Sequence, residues 1–231
     1  MSLFAIGDLH LSLSGAKPME IFKGWENHVE RLTNGWNTTV SDTDTVVVIG
    51  DLTWASGLDN ADTDFRFIND RLNGEKIIIK GNHDYWWNTL SKLNTFFEAN
   101  GFTRMKVLHN NAFKVENTVI CGTRGWLNDD GKPADLKILK REALRLEESL
   151  KAGQKLDGEL TAFVHYPPIY SGNENPYLLE SLVKYNVKRC FYAHLHGAKV
   201  RGAFSGERYG INFSLCSADS VGFTPVLVDN F

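Results

Sequence analysis

The sequence predicts an α/β fold in which short buried strands alternate with amphipathic helices, and three observations lead to this prediction. Runs such as Thr45–Ile49 are continuously apolar and end at a glycine, which is typical of strands buried on both faces. Segments such as Asp135–Gln154 carry apolar residues at helical spacing, with Lys, Arg and Glu on the outer face. No internal repeat, low-complexity tract or linker interrupts this alternation.

The first half of the chain is predicted to contain three strands, each followed by a helix. Each strand is a short apolar run that ends beside a glycine, and each helix has apolar residues along one face. In chain order, the predicted elements are a strand at Leu3–Ile6, a helix at Phe22–Thr38, a strand at Thr45–Ile49, a helix at Asp62–Leu72, a strand at Lys76–Lys80 and a helix at Thr89–Asn100.

Shorter strands dominate the second half, so we expect a second sheet built largely from it. Between Met105 and Gly122 the pattern indicates a hairpin or meander with a turn at Asn110–Asn111. The remaining predicted elements are the helix at Asp135–Gln154, a strand at Thr161–Val164, a helix at Pro176–Tyr185, and strands at Arg189–Ala193, Lys199–Phe204, Gly210–Leu215 and Pro225–Val228. One α/β domain is expected over residues 1–231.

Composition indicates an ordinary globular protein. Of the 231 residues 42% are hydrophobic, enough to bury a core without disulfides or structural metals. A net charge of −3 gives no strong signal for nucleic acid or for an anionic membrane. The three cysteines are widely spaced, and neither a signal peptide nor a membrane-spanning stretch is evident. We therefore predict a cytoplasmic protein and leave its oligomeric state open.

Five segments with metal-ligating side chains each follow a predicted strand. The carboxyl ends of strands in α/β sheets are where ligands bind, so we expect these side chains to share one crevice. Asp, Asn and His suit Mn²⁺, Fe²⁺ or Zn²⁺, and the lack of Cys among them argues against a structural zinc site. The segments contain Asp8 and His10, Gly50 and Asp51, Gly81-Asn82-His83-Asp84, His165, and His194 and His196.

In order and spacing, these segments resemble the D-x-H, G-D, G-N-H-[DE], H and G-H-x-H blocks of the calcineurin-like metallophosphoesterases. The resemblance runs from residue 8 to residue 197, and Ala193 stands where the family usually has Gly before the first His of the last block. It implies a four-layer sandwich of two mixed β-sheets flanked by helices, with the metals at one end. It also implies hydrolysis of a phosphoester.

The resemblance implies two divalent ions, with Mn²⁺ the first choice and Fe²⁺, Zn²⁺ or Mg²⁺ as alternatives. A hydroxide between the ions would attack phosphorus, Asn82 would help to stabilise the phosphate oxygens, and His83 would protonate the leaving oxygen. The implied ligands are Asp8, His10, Asp51 and His196 for one ion, and Asp51 as a bridge, Asn82, His165 and His194 for the other.

One departure concerns the partner that orients His83. Ser/Thr protein phosphatases carry an orienting Asp three positions after the G-D aspartate, where this chain has Trp54. Purple acid phosphatases carry an iron-binding Tyr there, so both branches are disfavoured. Asp84 is adjacent to His83 in sequence and is retained as a candidate catalytic residue, and the orienting partner stays open.

Three further residues are candidates for contact with the substrate. Arg124 lies between two glycines after a predicted strand, where it suits either a phosphate contact or a surface ion pair. Trp86 and Trp126 lie near the motif loops, where aromatic rings either pack the loops or stack on a flat substrate group.

The expected function is hydrolysis of a small phosphodiester or phosphomonoester, including a nucleotide. One alternative is a scaffold that has lost catalysis, which is disfavoured because all seven ligand positions and His83 are present. Another is a nuclease of the same family, for which the sequence shows no basic groove. The choice between monoester and diester is open.

Overall fold

The computed structural model describes residues 1–15, 17–127 and 133–231, and in it two β-sheets face each other between two layers of helices. The helices are α1 (His28–Thr39), α2 (Asp62–Arg71), α3 (Leu90–Asn100), α4 (Pro133–Gly153) and α5 (Pro176–Lys184). The strands are β1 (Ser2–Ile6), β2 (Thr45–Ile49), β3 (Glu75–Ile79), β4 (Met105–Val107), β5 (Phe113–Val115), β6 (Thr118–Thr123), β7 (Glu159–Val164), β8 (Ile169–Tyr170), β9 (Asn173–Glu174), β10 (Arg189–Tyr192), β11 (Gly206–Arg208), β12 (Ile211–Leu215) and β13 (Val226–Asn230).

Both large sheets have a parallel centre and antiparallel strands at their edges. The first has five strands in the order β13-β1-β2-β3-β4, in which only β13 is antiparallel to its neighbour. The second has six strands in the order β11-β12-β10-β7-β6-β5, with β11 and β5 antiparallel at the two edges. As expected, the second sheet comes from the later part of the chain.

Alternating side chains divide each strand between two cores, because successive residues point to opposite faces. In β1, Phe4 and Ile6 pack with α1, α2 and α3, whereas Leu3 and Ala5 face the second sheet. From the second sheet, Phe163 and Phe191 stack on each other in the same central core, with ring centroids 5.4 Å apart. The result is the predicted four-layer α/β sandwich, since α4 and α5 cover the outer face of the second sheet.

The first predicted helix is shorter than its apolar spacing indicates. It begins at His28 rather than Phe22, because Gly24 and Asn27 have φ angles of 92° and 52°. These left-handed conformations cannot continue a right-handed helix. Trp25, which the periodicity assigned to the helix, is buried in the core ahead of it.

Two strand predictions in the second half are wrong. The turn at Asn110 exists, with φ 60°, but β4 and β5 on either side belong to different sheets, and the hairpin is formed by β5 and β6. The predicted strand Lys199–Phe204 is replaced by a 3₁₀ helix at Gly197–Gly202, followed by β11. The chain has to turn away from the sheet after β10, and local bonds such as Ala203 N–H to Val200 O (3.0 Å) satisfy its backbone.

The two sheets come together at the carboxyl edge of their parallel strands. Gly7, directly after β1, donates to Cys216 O at 2.7 Å and accepts from Ala218 N–H at 3.0 Å. These bonds tie the end of the first sheet to the segment that leaves β12. A Cβ on Gly7 would lie 2.4 Å from the Cβ of Ala193, so glycine is required for this approach. No helix among the described residues has the length and apolarity to cross a membrane.

Lys76 is a fully buried lysine near the start of β3, far along the strand from this edge. Its Nζ donates to Leu72 O at 2.7 Å and to Gly74 O at 2.8 Å, which satisfies carbonyls just past the end of α2. Burial lowers its pKa to about 7. A lysine in an unfolded chain has a pKa of about 10.4, so between these values the unfolded state binds more protons and stability rises with pH.

We predict that replacing Lys76 with Met removes this pH dependence. From about pH 7 to about pH 10 the unfolding free energy of the wild type should rise relative to Lys76→Met, by up to about 1.4 kcal/mol per pH unit. Urea unfolding at a series of pH values measures the difference, with Lys114→Met, at an exposed lysine of β5, as the control. Parallel curves for the wild type and Lys76→Met would contradict the prediction.

Candidate metal centre

The seven predicted metal ligands lie together at the carboxyl edge where the two sheets meet. They come from five loops, which follow β1, β2 and β3 of the first sheet and β7 and β10 of the second. Two groups of ligand atoms fall within 4.8 Å of one another, namely Asp8 with His10 and His196, and Asp8 with Asp51 and His165. Asn82 and His194 adjoin the second group, since Asn82 Oδ1 lies 2.7 Å from His165 Nε2 and 2.9 Å from His194 Nδ1.

Asp51 occupies the middle of the cluster. Its Oδ1 accepts the backbone N–H of His83 at 2.7 Å, which fixes the carboxylate plane. Its Oδ2 lies 3.7 Å from His10 Nε2 on one side and 3.6 Å from His165 Nε2 on the other. A single carboxylate oxygen therefore faces both halves of the cluster, which is the arrangement a bridging ligand needs.

The chemistry of the donor atoms fits cations. Asp8 Oδ1 is buried and has no hydrogen-bond partner among the described residues. His165 Nδ1 lies 2.9 Å from Ile49 O, which can only accept, so the lone pair on Nε2 faces Asn82 Oδ1 and Asp51 Oδ2. Bonds of about 2.1 Å to a first-row divalent ion place neighbouring ligand atoms about 3.0 Å apart, close to these separations. The residues present therefore fit divalent metal ions.

Two glycines allow the loops to approach this closely. At Gly81, an added Cβ would lie 2.1 Å from Asp51 Oδ1 and 2.3 Å from Asp51 N. At Gly50, where φ is 77°, it would lie 2.7 Å from His165 Nδ1. Both contacts are far shorter than any real Cβ makes, so the G-D and G-N-H-D motifs need their glycines for space around Asp51 and His165.

Four of the ligands have left-handed backbone conformations. The φ angles are 61° at Asp8, 45° at His10, 54° at Asp51 and 75° at His194. Such conformations cost on the order of 1 kcal/mol or more for a residue with a side chain, and they concentrate at functional sites. Here they turn the chain sharply at the strand ends, so that each ligand points into the crevice between the sheets.

The charges in the cluster perturb one another strongly. Burial and the neighbouring Asp8 raise the pKa of Asp51 to about 8. Burial alone would lower the pKa of His196, but Asp8 and Asp219 outweigh it and raise the value to about 10. Burial lowers the pKa of His194 to about 3, and His165 adds to this effect. Metal binding would thus displace protons from Asp51 and His196, so affinity for the ions should increase with pH.

His83 stands beside the cluster, half-buried among aromatic rings. Trp54 lies against it at 4.4 Å between centroids and is stacked on His10 at 4.9 Å with an angle of 20° between the planes. His83 Nδ1 is 3.2 Å from the Tyr85 hydroxyl, which is therefore a candidate for the orienting partner that the sequence left open. Burial, followed by the charge of His165, lowers the pKa of His83 to about 4.

Asp84 lies beneath the loops and acts on the site through their backbone. Its carboxylate accepts N–H bonds from Asp51 at 2.9 Å, Leu52 at 2.8 Å and Gly81 at 2.6 Å, and from Trp86 Nε1 at 3.0 Å. Burial, followed by the charge of Asp51, raises its pKa to about 7. Because both oxygens already accept two donors each, Asp84 is placed as a positioning residue and not as the catalytic residue considered from the sequence.

Trp86 is misassigned as a candidate substrate contact. It is only 1% exposed and packs against Phe65 at 4.7 Å in the core beneath α2 and α3. Its indole N–H is donated to Asp84. The ring therefore supports the loop from inside, and a substrate has no access to it.

Arg124 and Trp126 contact α4 and the wall of the site. The Arg124 guanidinium lies 3.4 Å from Glu142 and 4.9 Å from the centroid of Trp126, so it forms an ion pair, although this pair is largely buried and not on the surface. Trp126 Nε1 donates to Asp135 at 3.2 Å, and its ring lies 5.1 Å from that of Tyr166. Tyr166 in turn packs on His194 at 4.2 Å, so Trp126 supports a ligand through one intervening ring.

Asp219 is a residue of the site that sequence reasoning missed. Its two oxygens accept from His196 Nδ1 and from the backbone N–H of Gly197, both at 3.0 Å. The bond to Nδ1 leaves His196 Nε2 facing Asp8 and His10, at 3.3 Å from each. Asp219 belongs to no motif and follows β12, and only the folded sheet order brings it to His196. No signal in a single sequence identifies it.

Two mixed sheets with a cluster of carboxylate, amide and imidazole ligands at their common carboxyl edge define the class of metallophosphoesterase folds. The sequence matches the calcineurin-like phosphoesterase family over residues 1–198. The chain belongs to this family, as the motifs predicted.

Solved structures show the same fold at low sequence identity. A protein of unknown function from Aquifex aeolicus is similar with a TM-score of 0.52 and 18% identity, over 98% of this chain and 95% of that one. A protein from Thermus thermophilus gives a TM-score of 0.51 and 17% identity, over 84% and 81% of the two chains. No curated protein matches the sequence. At these identities the similarity concerns the fold alone.

We predict that Asp219→Ala weakens metal binding by about 10–100-fold, as is typical when the partner of a histidine ligand is removed. Asp219→Asn retains one oxygen for His196 Nδ1 and should therefore lose less metal affinity than Asp219→Ala. Competition with a chromogenic chelator measures the affinity directly, with Asp157→Ala at an exposed position as the matched control. An Asp219→Ala protein that binds Mn²⁺ as tightly as the wild type would exclude this role.

Proposed function

We propose that the protein is a metal-dependent phosphohydrolase that cleaves a small phosphodiester or phosphomonoester, with nucleotides among the candidates. The position of Asp51 Oδ2 carries the proposal, because it lies between His10 Nε2 at 3.7 Å and His165 Nε2 at 3.6 Å. One oxygen placed in this way could act as a bridging ligand for two ions. Mn²⁺ is the proposed metal, since it suits the carboxylate and amide oxygens of the cluster, and Fe²⁺ and Zn²⁺, which suit the imidazoles, are the alternatives.

Each group of the chain has a definite task in this proposal. Two divalent ions would supply Lewis acidity toward phosphate oxygens and lower the pKa of the attacking water. Asp8, His10, Asp51 and His196 would hold one ion, and Asp51, Asn82, His165 and His194 would hold the other. Asn82 turns Oδ1 toward the two imidazoles, which leaves its Nδ2–H group to donate to a phosphate oxygen.

His83 assists the departure of the leaving group as a neutral imidazole. Its pKa of about 4 makes it uncharged at neutral pH, and neighbouring cations would lower the value further. The Tyr85 hydroxyl, 3.2 Å from Nδ1, donates to that nitrogen in the proposed tautomer and leaves Nε2–H for the leaving oxygen. A hydrogen bond from a neutral ring stabilises a developing negative charge less than an imidazolium does. Esters with good leaving groups are therefore the favoured substrates.

A reducing compartment, such as the cytoplasm, is part of the proposal. The cysteines at positions 121, 190 and 216 are all unpaired and buried. Burial raises the pKa of Cys121 to about 12, which keeps its thiol protonated and unreactive. These thiols therefore pack as small apolar side chains and require no disulfide.

We predict that His83→Ala lowers kcat by about 10²–10⁴-fold while metal content stays at the wild-type level, because His83 assists the leaving group without holding an ion. A series of aryl phosphodiesters with increasingly poor leaving groups, hydrolysed by Mn²⁺-loaded enzyme, tests the role. The loss should grow as the leaving group becomes poorer.

His109→Ala is the matched control, since His109 packs on Trp87 at 6.3 Å, away from the ligand cluster. A loss of equal size across the whole series of leaving groups would count against the assignment of His83. Wild-type enzyme that binds Mn²⁺ but hydrolyses no phosphoester would overturn the proposed function and favour a scaffold.

A further inference from the structure

An apolar cleft opens beside the metal centre. It has a volume of about 360 Å³ and shares three residues with the site, because His10, His83 and His196 are among its lining residues. Phe22, Trp25 and Trp54 also line it. A space of this size falls in the range of small-molecule sites. Any group that occupies it lies directly against the ligands and the proposed leaving-group donor.

The cleft is lined by flat rings in fixed orientations. Trp54 is held by its indole N–H, which donates to Met19 Sδ at 3.2 Å, and it stacks on His10. Trp25 stands edge-on to His10 at 5.7 Å and to His196 at 5.6 Å. Aromatic rings bind other rings well through stacked and edge-to-face contacts. The lining therefore suits a flat ring better than a flexible chain.

One wall of the cleft carries apolar surface that is open to solvent. Phe22 is 52% exposed, although it lines the cleft. Packing a ring against Phe22 removes apolar surface from water on both partners, which favours binding. Positive charge borders the same space, since Lys23 lines it. This charge is complementary to the phosphate of an ester.

We infer that the substrate carries a flat aromatic group on its phosphoester and that this group binds in the cleft against Phe22 and Trp54. This inference rests on the proposed function and narrows its substrate class to aryl or nucleoside phosphoesters. The rings would hold the aromatic group while its phosphate reaches the adjoining ligand cluster, so that binding energy positions the reacting atoms.

Competitive inhibition of the Mn²⁺-loaded enzyme by phosphonates tests the cleft. Phenylphosphonate should bind about tenfold more tightly than methylphosphonate, as expected for one well-packed aromatic contact. Cyclohexylphosphonate, which is similar in size but not flat, should fall between them. Phe22→Ala should remove the preference for phenyl and leave the affinity for methylphosphonate unchanged. Ile21→Ala is the control, because Ile21 is the adjacent residue and 74% exposed.

The outcomes separate this inference from the proposed function. Equal inhibition by all three phosphonates, in an enzyme that hydrolyses phosphoesters, would show that the cleft binds no aromatic group and would leave the proposed function intact. An equal loss of the preference for phenylphosphonate in Phe22→Ala and Ile21→Ala would also contradict the inference. Wild-type enzyme that binds Mn²⁺ but hydrolyses no phosphoester would instead overturn the function. A nucleoside monophosphate that inhibits at lower concentration than the matching ribose phosphate would show that the cleft accepts a nucleobase.

Discussion

The close approach of the two sheets at one edge is the constraint on which the candidate metal centre depends. Asp8, His10 and Asp51 come from the first sheet, whereas His165, His194 and His196 come from the second. Neither set suffices alone. Gly7 makes the approach possible, because it bonds to the backbone beyond β12 and leaves room for the methyl group of Ala193. The family usually has glycine where this chain has Ala193, and the absence of a side chain at Gly7 accommodates the extra carbon.

Once the sheets have met, Asp84 and a set of strained turns fix the ligands. Asp84 accepts N–H donors from the loops after β2 and β3, so one buried carboxylate fixes the backbone that carries Asp51 and Asn82. Left-handed turns at Asp8, His10, Asp51 and His194 oppose folding locally. Burial of apolar side chains in three cores offsets this conformational cost. The stability of the scaffold therefore holds the ligands in place before a metal binds.

How far the sequence predicts this protein depends on the range of the interactions. Buried strands such as Thr45–Ile49 were predicted correctly because a continuous apolar run followed by glycine is a local signal. The ligands at strand ends follow from the same signal. The strand prediction for Lys199–Phe204 was wrong because the apolar spacing of this segment is equally compatible with a turn of 3₁₀ helix. Tertiary contacts decided between the two structures. Trp86 and Asp219 were misjudged or missed because their burial and bonding depend on contacts that no sequence spacing records.

The surroundings of His83 connect the local chemistry with the choice of substrate. Protein phosphatases of this fold family orient the corresponding histidine with a carboxylate, whose charge would raise the pKa of the ring. Here Trp54 occupies that sequence position, and a phenol from Tyr85 contacts the ring instead. A phenol supplies no such charge, so burial dominates and the ring is neutral. The same Trp54 forms a wall of the apolar cleft. Under the proposed function, an indole in place of the carboxylate would weaken hydrogen-bond donation from His83 and at the same time add surface for a flat group, and an ester of an acidic aromatic alcohol would benefit from both effects.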